Sequence, residues 1–387
     1  MDETVAGEKA AARGNSGVLI GLAAPALIGL ATAAVMHLFQ AQLFADLTNP
    51  FLTITVFLYL FVVMLWCAFT AVRHSDAIAS ILGEPYGTLV LTFSVITIEV
   101  SLLASIMLHG ENNPTLARDA MFATLMIVLN GMVGAALLMG AMRYYEQEYN
   151  LEGARAFLVV IAALAVISLI LPNYTETVPD PALAPFQAGL FAAITILFYV
   201  VFVVIQTMRH RAFFSEPEGN GHSAMAREYM PRHRPPAGSL TFHVAMLALT
   251  LLPVVLLSEY LAIVVDFGIE ELKLPAPLGG VLIAILVLSP EGLTAFHAAL
   301  DNRLQRAVNV CLGSALATIG LTIPAVLTIG LITGHAVHLG LTEVEMVLLV
   351  LTLFVSALTF GGARTNVLQG TVHLLLFVVY IAMIFSP

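Results

Sequence analysis

The sequence predicts an all-α polytopic membrane protein, and three observations carry that prediction. Of its 387 residues 59% are hydrophobic and only 10% charged, with mean hydropathy +0.95; a soluble domain carries about 25% charged residues. The apolar residues fall in continuous runs, each near the roughly 20 that a helix needs to cross a hydrocarbon core of about 30 Å. They do not alternate as the strands of a β-barrel would. The basic residues, finally, fall in every second connection.

Eleven runs qualify as spans: 17–40, 50–72, 85–108, 120–142, 155–172, 185–208, 240–265, 277–299, 307–333, 343–360 and 366–385. The seventh, with Glu259 near its end, is the least clean. Thirteen of the 15 lysines and arginines precede the first run or lie in alternate connections, among them Lys9, Arg13, Arg73, Arg143, Arg155, Arg303, Arg306 and Arg364. The intervening connections hold Arg118 and Lys273. The positive-inside rule then places the N-terminus in the cytoplasm and, after eleven crossings, the C-terminus outside.

Residues 1–16 form a polar cytoplasmic segment that mixes acids and bases and runs into a full-length span, unlike a cleaved signal peptide. Cys67 and Cys311 lie singly within predicted helices and read as packing residues, with no disulfide or metal framework. Nothing points to nucleic-acid binding. The segment "RHRAFFSEPEGNGHSAMAREYMPRHRPPAGS", 209–239, divides the runs six and five and reads as a flexible cytoplasmic tether. Its basic residues suit topology and anionic headgroups, and its histidines are candidate pH sensors.

An internal repeat organises the rest. "LGEPYGTLVLTFSVITIEVSLLASIML" (82–108) lies over "LPAPLGGVLIAILVLSPEGLTAFHAAL" (274–300) without gaps, with six identities in 27 positions. Leu82 meets Leu274, Pro85 meets Pro277, Gly87 meets Gly279 and Glu99 meets Glu291. The coincidence of Pro, Gly and a rare intramembrane Glu gives the match its weight. On the charge assignment the copies cross the membrane in opposite directions, the inverted-repeat arrangement by which transporters open one central site to each side in turn. The expected layout is an extra transmembrane helix, 17–48, then two inverted five-helix repeats. The first, 49–208, contains an α-repeat at 82–142; the second, 240–387, contains one at 274–333.

Glu99 and Glu291 each lie fourteen residues into their runs, near mid-membrane. Insertion scales put a central charge at roughly +2.5 to +3.5 kcal/mol, so a symmetric pair needs a compensating reason. One reading is structural, with both protonated and hydrogen-bonded between helices. The other is a shared cation and proton site. Desolvation disfavours an ionised carboxylate and a neighbouring cation favours it, so loading one ligand expels the other.

The neighbouring oxygens suit a hard cation such as Ca²⁺, which takes about 6–8 oxygen ligands. Ser289 and Thr294 flank Glu291, and Pro290 removes the amide that would bond the Leu286 carbonyl. That carbonyl, and others nearby if the helix breaks there, are candidate ligands. Thr88 and Thr92 share a face with Glu99; Ser94, Thr97, Ser101 and Ser105 line another. Asn130, Ser314 and Thr318 stand in the runs that follow each glutamate. For each hydroxyl, helix packing is the competing explanation. Glu84 reads as a mouth residue or a helix-start acid, and His297 as a proton relay or a structural residue. Arg118 and Asp119 form an expected outer-loop pair, and Arg364 with Asn366 an inner-loop anchor.

"GEPYGTLVLTFSVITIEVSLLAS" and "LSPEGLTAFHAALDNRLQRAVNVCLGSALATIGLTIPA" resemble the two α-repeats of bacterial calcium/proton antiporters of the ChaA type, in the cation/calcium exchanger superfamily. "RHSDAIASILGEPYG" and "RTNVL" extend the resemblance over nearly the whole chain. It implies ten core helices in two inverted halves plus a first helix, with Glu99 and Glu291 binding the transported cation by motif position. The stretches "SVITIE" and "VLSPE" lack the Gly-Asn that precedes the glutamate in eukaryotic exchangers.

The expected function is secondary antiport at a bacterial inner membrane, exporting Ca²⁺ for entering protons by alternating access, with Na⁺ and K⁺ as further cargoes. The partners are then inorganic cations, protons and the lipid bilayer, and no cofactor is called for. The alternatives are a monovalent Na⁺(K⁺)/H⁺ antiporter and a passive cation channel. An enzyme is disfavoured, because no HExxH, GxSxG or GxxxxGK[ST] pattern is present.

Overall fold

The computed structural model describes residues 21, 23–44, 47, 49–82, 86–109, 114–178, 181–216, 238–334 and 336–386. Helices dominate, and among the described residues eight are long and apolar enough to cross a membrane: Pro50–Leu82, Leu116–Tyr144, Leu151–Tyr174, Pro185–Arg209, Leu240–Glu271, Pro277–Leu300, Leu304–Thr333 and Val367–Phe385. Ala23–Leu38 and Glu343–Thr359 are shorter, and Tyr86–His109 carries the apolar stretch Thr92–Ser105. Glu84 and most of the tether, 217–237, lie outside the described residues.

Local chemistry sets the helix ends. Pro50, Pro185 and Pro277 open their helices at a position where no backbone N–H is needed. Asn150 and Asn366 cap theirs by accepting from the amides of Glu152 and Leu368. Thr342 and Glu345 form a reciprocal capping box. Gly334, at φ 74°, ends Leu304–Thr333 in the left-handed region.

Several helices overrun their expected spans, Pro50–Leu82 by the most. Pro50–Leu82 has 33 residues and Leu240–Glu271 has 32, about 50 Å each at 1.5 Å per residue. The segment "RHSDAIAS" is polar but contains no Gly or Pro, so the helix continues through it to Leu82. Arg118 and Asp119 likewise lie in the first turn of Leu116–Tyr144 rather than in a loop, and Asp119 is buried.

By contact the chain divides into two compact units, 1–98 with 221–264 and 99–220 with 265–387. In the first, buried and half-buried polar groups join helices. Thr32 meets Tyr59 at 2.9 Å, Cys67 Sγ donates to the Pro25 carbonyl, and His74 Nδ1 lies 2.9 Å from His243 Nδ1.

The second unit is built around Leu116–Tyr144, whose apolar window is 83% buried. Pro277–Leu300, Leu304–Thr333 and Val367–Phe385 all pack on it. The first of these contacts depends on Gly280: a Cβ there would sit 2.7 Å from the Ala120 amide nitrogen. Gly134 and Gly370 permit the approach of Val367–Phe385 in the same way, since a Cβ on Gly370 would lie 2.6 Å from the Leu138 nitrogen.

Both ends of this unit are tied. At one, Gln147–Glu148 pairs antiparallel with Arg364–Thr365, and Arg364 binds Glu146 and Glu148. Tyr149 donates to the Gly362 carbonyl, and Gln147 to Ala299 and Asn302. At the other, Arg118 pairs with Asp119 at 2.7 Å and donates to the Gly340 carbonyl. Leu116–Tyr144 and Leu304–Thr333 each contain a π-helical turn, at Ile127–Met132 and Thr318–Thr322. Similar turns occur at Val166–Ile170 and Ile205–Arg209.

Candidate cation-binding site

Glu99 projects from Tyr86–His109 and Glu291 from Pro277–Leu300, and both side chains are sealed, their residues 3% and 7% exposed. One helix face serves both. Ser314, Thr318 and Thr322 follow at four-residue spacing on Leu304–Thr333, which keeps them on one side of the helix. Thr318 Oγ1 donates to Glu99 Oε2 at 2.9 Å. Thr322 approaches the same carboxylate, and its buried Oγ1 has no partner of hydrogen-bond geometry among the described residues. Ser314 lies beside Glu291, and the two carboxylates are near enough to feel each other's charge.

Glu99 Oε1 and Glu291 Oε2 are buried without a hydrogen-bond partner among the described residues. Carrying an uncompensated carboxylate in so dry a place is costly, so each oxygen calls for a proton or a cation. The donors are carboxylate and hydroxyl oxygens, the ligand type of hard cations such as Ca²⁺. Cys311 is close to Glu291, but it is a free, buried thiol.

Several expected ligands turn elsewhere. Ser94 contacts Ser75 at 3.2 Å and donates to the Val90 carbonyl; Thr97 donates to Phe93. Ser289 and Thr294 donate to the Ile285 and Pro290 carbonyls of their own helix. A hydroxyl in a helix satisfies itself this way whenever no better acceptor is near. The helix does not break at Pro290 but runs unbroken from Pro277 to Leu300. His297 is exposed on it.

Asn130 belongs to a neighbouring network. Its Nδ2 donates to Thr352 Oγ1 at 2.8 Å and its Oδ1 faces His373 Nδ1 at 3.2 Å; His373 Nε2 meets Thr359 Oγ1 at 3.0 Å. Of these residues, Thr352, Thr359 and His373 escaped the sequence reading, as did Thr322 at the carboxylates. A signal existed: Thr352, Ser356 and Thr359 recur at helical spacing, and His373 is a histidine in an otherwise apolar run.

The class is therefore a polytopic helical membrane protein with a sealed, oxygen-lined carboxylate pair. Similarity to known proteins gives the family: the sodium/calcium exchanger protein family matches residues 52–208 and 242–386, and the chain belongs to it. The protein y4hA of Sinorhizobium fredii is 42% identical over 320 residues, 82% of this chain and 85% of its own length. The sodium-potassium/proton antiporter ChaA of Escherichia coli is 39% identical over 320 residues, 82% and 86% of the two chains. The crystal structure of the Ca²⁺/H⁺ antiporter YfkE shares the fold at TM-score 0.69 and 18% identity, covering 96% of this chain and 99% of that one. These are transporters, and the chain is a transporter rather than an enzyme.

Proposed function

We propose that this protein is a cation/proton antiporter that exports Ca²⁺ from the cytoplasm in exchange for entering protons. The observation that carries the reading is the pair Glu99 and Glu291, each buried with one oxygen lacking a hydrogen-bond partner among the described residues. Deprotonated, the pair attracts a cytoplasmic cation. When the site opens to the other side, protons displace the ion and neutralise the carboxylates for the return. A cation and protons compete for the same oxygens, so neither crosses without the other. ChaA is named a sodium-potassium/proton antiporter and YfkE a Ca²⁺/H⁺ antiporter, and both names support proton-coupled cation exchange.

The same reading has an extra first helix followed by two inverted five-helix repeats in a bacterial inner membrane, N-terminus cytoplasmic and C-terminus periplasmic. The alternate placing of basic residues supports it. A second reading, monovalent Na⁺(K⁺)/H⁺ exchange with little Ca²⁺ transport, is favoured by the 39% identity to ChaA. Proteoliposomes with an imposed pH gradient, given Ca²⁺, Na⁺ or K⁺ separately, decide between them. Proton release driven by Ca²⁺ supports the first, and release driven by Na⁺ or K⁺ alone supports the second. No coupled flux with any of the three overturns both.

A further inference from the structure

The Asn130 network has no part in the carboxylate site as described, yet it is costly. Asn130 and His373 are both 0% exposed, with Thr352 and Thr359 buried beside them. Ser356, on the same face between the two threonines, adds a buried hydroxyl without a hydrogen-bond partner among the described residues. Polar groups at such depth in a membrane protein are rare and usually functional.

The hydrogen-bond pattern is directional. Because the Asn130 amide NH₂ donates to Thr352, its carbonyl is the acceptor left for His373. The imidazole proton is then on Nδ1, and Nε2 accepts from the Thr359 hydroxyl. Asn130 lies in the Ile127–Met132 turn, where π geometry disturbs the regular backbone pairing. His373 therefore holds the asparagine of one π turn.

That turn packs against the Glu291 helix. A Cβ on Gly292, the residue after Glu291, would lie 3.8 Å from Met132 Cγ. The other π turn, Thr318–Thr322, presents its threonines directly to Glu99. One turn thus contributes its polar side chains to the site, while the other has its asparagine held from behind.

We propose that His373 is a positioning residue for cation exchange: through the Asn130 amide it fixes the π turn that packs against the Glu291 helix. The proposal rests on the antiport reading, and its test separates the two. Affinity for Ca²⁺, Na⁺ and K⁺ is measured by calorimetry on the purified full chain, together with KM and maximal proton-coupled flux in proteoliposomes. Outer partners that orient ligand groups are worth roughly 10–100-fold in affinity.

His373→Ala is expected to weaken binding and raise KM at least about tenfold, while maximal flux changes far less. His373→Gln keeps a donor for the Asn130 carbonyl and is expected to recover most of that loss. Thr352→Val releases the other end of the amide and should shift KM in the same direction. In the double variant His373→Ala/Asn130→Ala the loss should not exceed that of Asn130→Ala, as expected of residues acting through one another.

A merely structural histidine would lower the yield of folded protein and maximal flux and leave KM in place. Wild-type affinity in folded His373→Ala, or in Thr352→Val if the alanine variant does not fold, overturns the proposal. So do independent, multiplying losses in the double variant. A wild-type protein that binds cations without proton exchange overturns the antiport reading alone, since the affinity ratios still test His373. One that binds none of the three cations overturns both.

Discussion

Thr318 donates its hydroxyl proton to Glu99 from a helix 219 positions further along the chain. That bond joins the two halves of the sequence at mid-helix, and it serves an ionised carboxylate better than a neutral one. Hydrogen bonds to charged groups contribute about 1.5–3 kcal/mol, which corresponds to about tenfold or more in an equilibrium constant. Thr318→Val should therefore weaken cation binding by about tenfold, and Thr318→Ser should retain it. Titration calorimetry of the three proteins checks this.

Glu99→Gln and Glu291→Gln test the cost of the buried pair. Each removes a carboxylate with one oxygen that lacks a partner among the described residues, and burying an unpaired charge destabilises a protein. Without added cation at alkaline pH, both variants should unfold in detergent at the same or a higher temperature than the wild type. Added Ca²⁺ or Na⁺ should raise the wild-type Tm and leave theirs unchanged.

Gly280 sets how closely the Glu291 helix can approach Leu116–Tyr144. Gly280→Ala would place a Cβ 2.7 Å from the Ala120 nitrogen, and overpacking of this kind costs about 1–3 kcal/mol. Thermal unfolding should drop accordingly. Gly189→Ala is the control, because nothing lies within 4 Å of a Cβ there.

Tyr149 gives a pH signature outside the spans. Burial pushes its hydroxyl pKa up, against a smaller opposing pull from Arg155. The folded state thus favours the protonated form, whereas the unfolded chain ionises near pH 10, at about the ordinary tyrosine value. Its contribution is complete below that pH and is lost as pH rises further. Tyr149→Phe should lower Tm at neutral pH through the lost bond to Gly362, but show a shallower alkaline decline. Scanning calorimetry from pH 7 to about 11 reads both effects.

The apolar runs were legible because lipid imposes a minimum length on every span, so Pro185–Arg209 and Val367–Phe385 stand within a residue of expectation. Helix length beyond the apolar stretch was not, because "RHSDAIAS" changes polarity without containing a residue that stops a helix. Glu99 and Glu291 declared themselves as charges in apolar surroundings. Which hydroxyls face them did not, because Ser94, Thr97, Ser289 and Thr294 can each satisfy themselves on a backbone carbonyl. The π turns left no clear trace, since they are a property of backbone geometry.

The proposed exchange of a cation for protons takes place at Glu99 and Glu291. It is tested most directly by proteoliposomes carrying a pH-sensitive dye, in which addition of Ca²⁺, Na⁺ or K⁺ dissipates an imposed proton gradient. Wild-type protein should respond to at least one cation, and Glu291→Gln and Glu99→Gln, folded and inserted equally well, should not. Undiminished cation-driven proton movement in either glutamine variant would contradict the account.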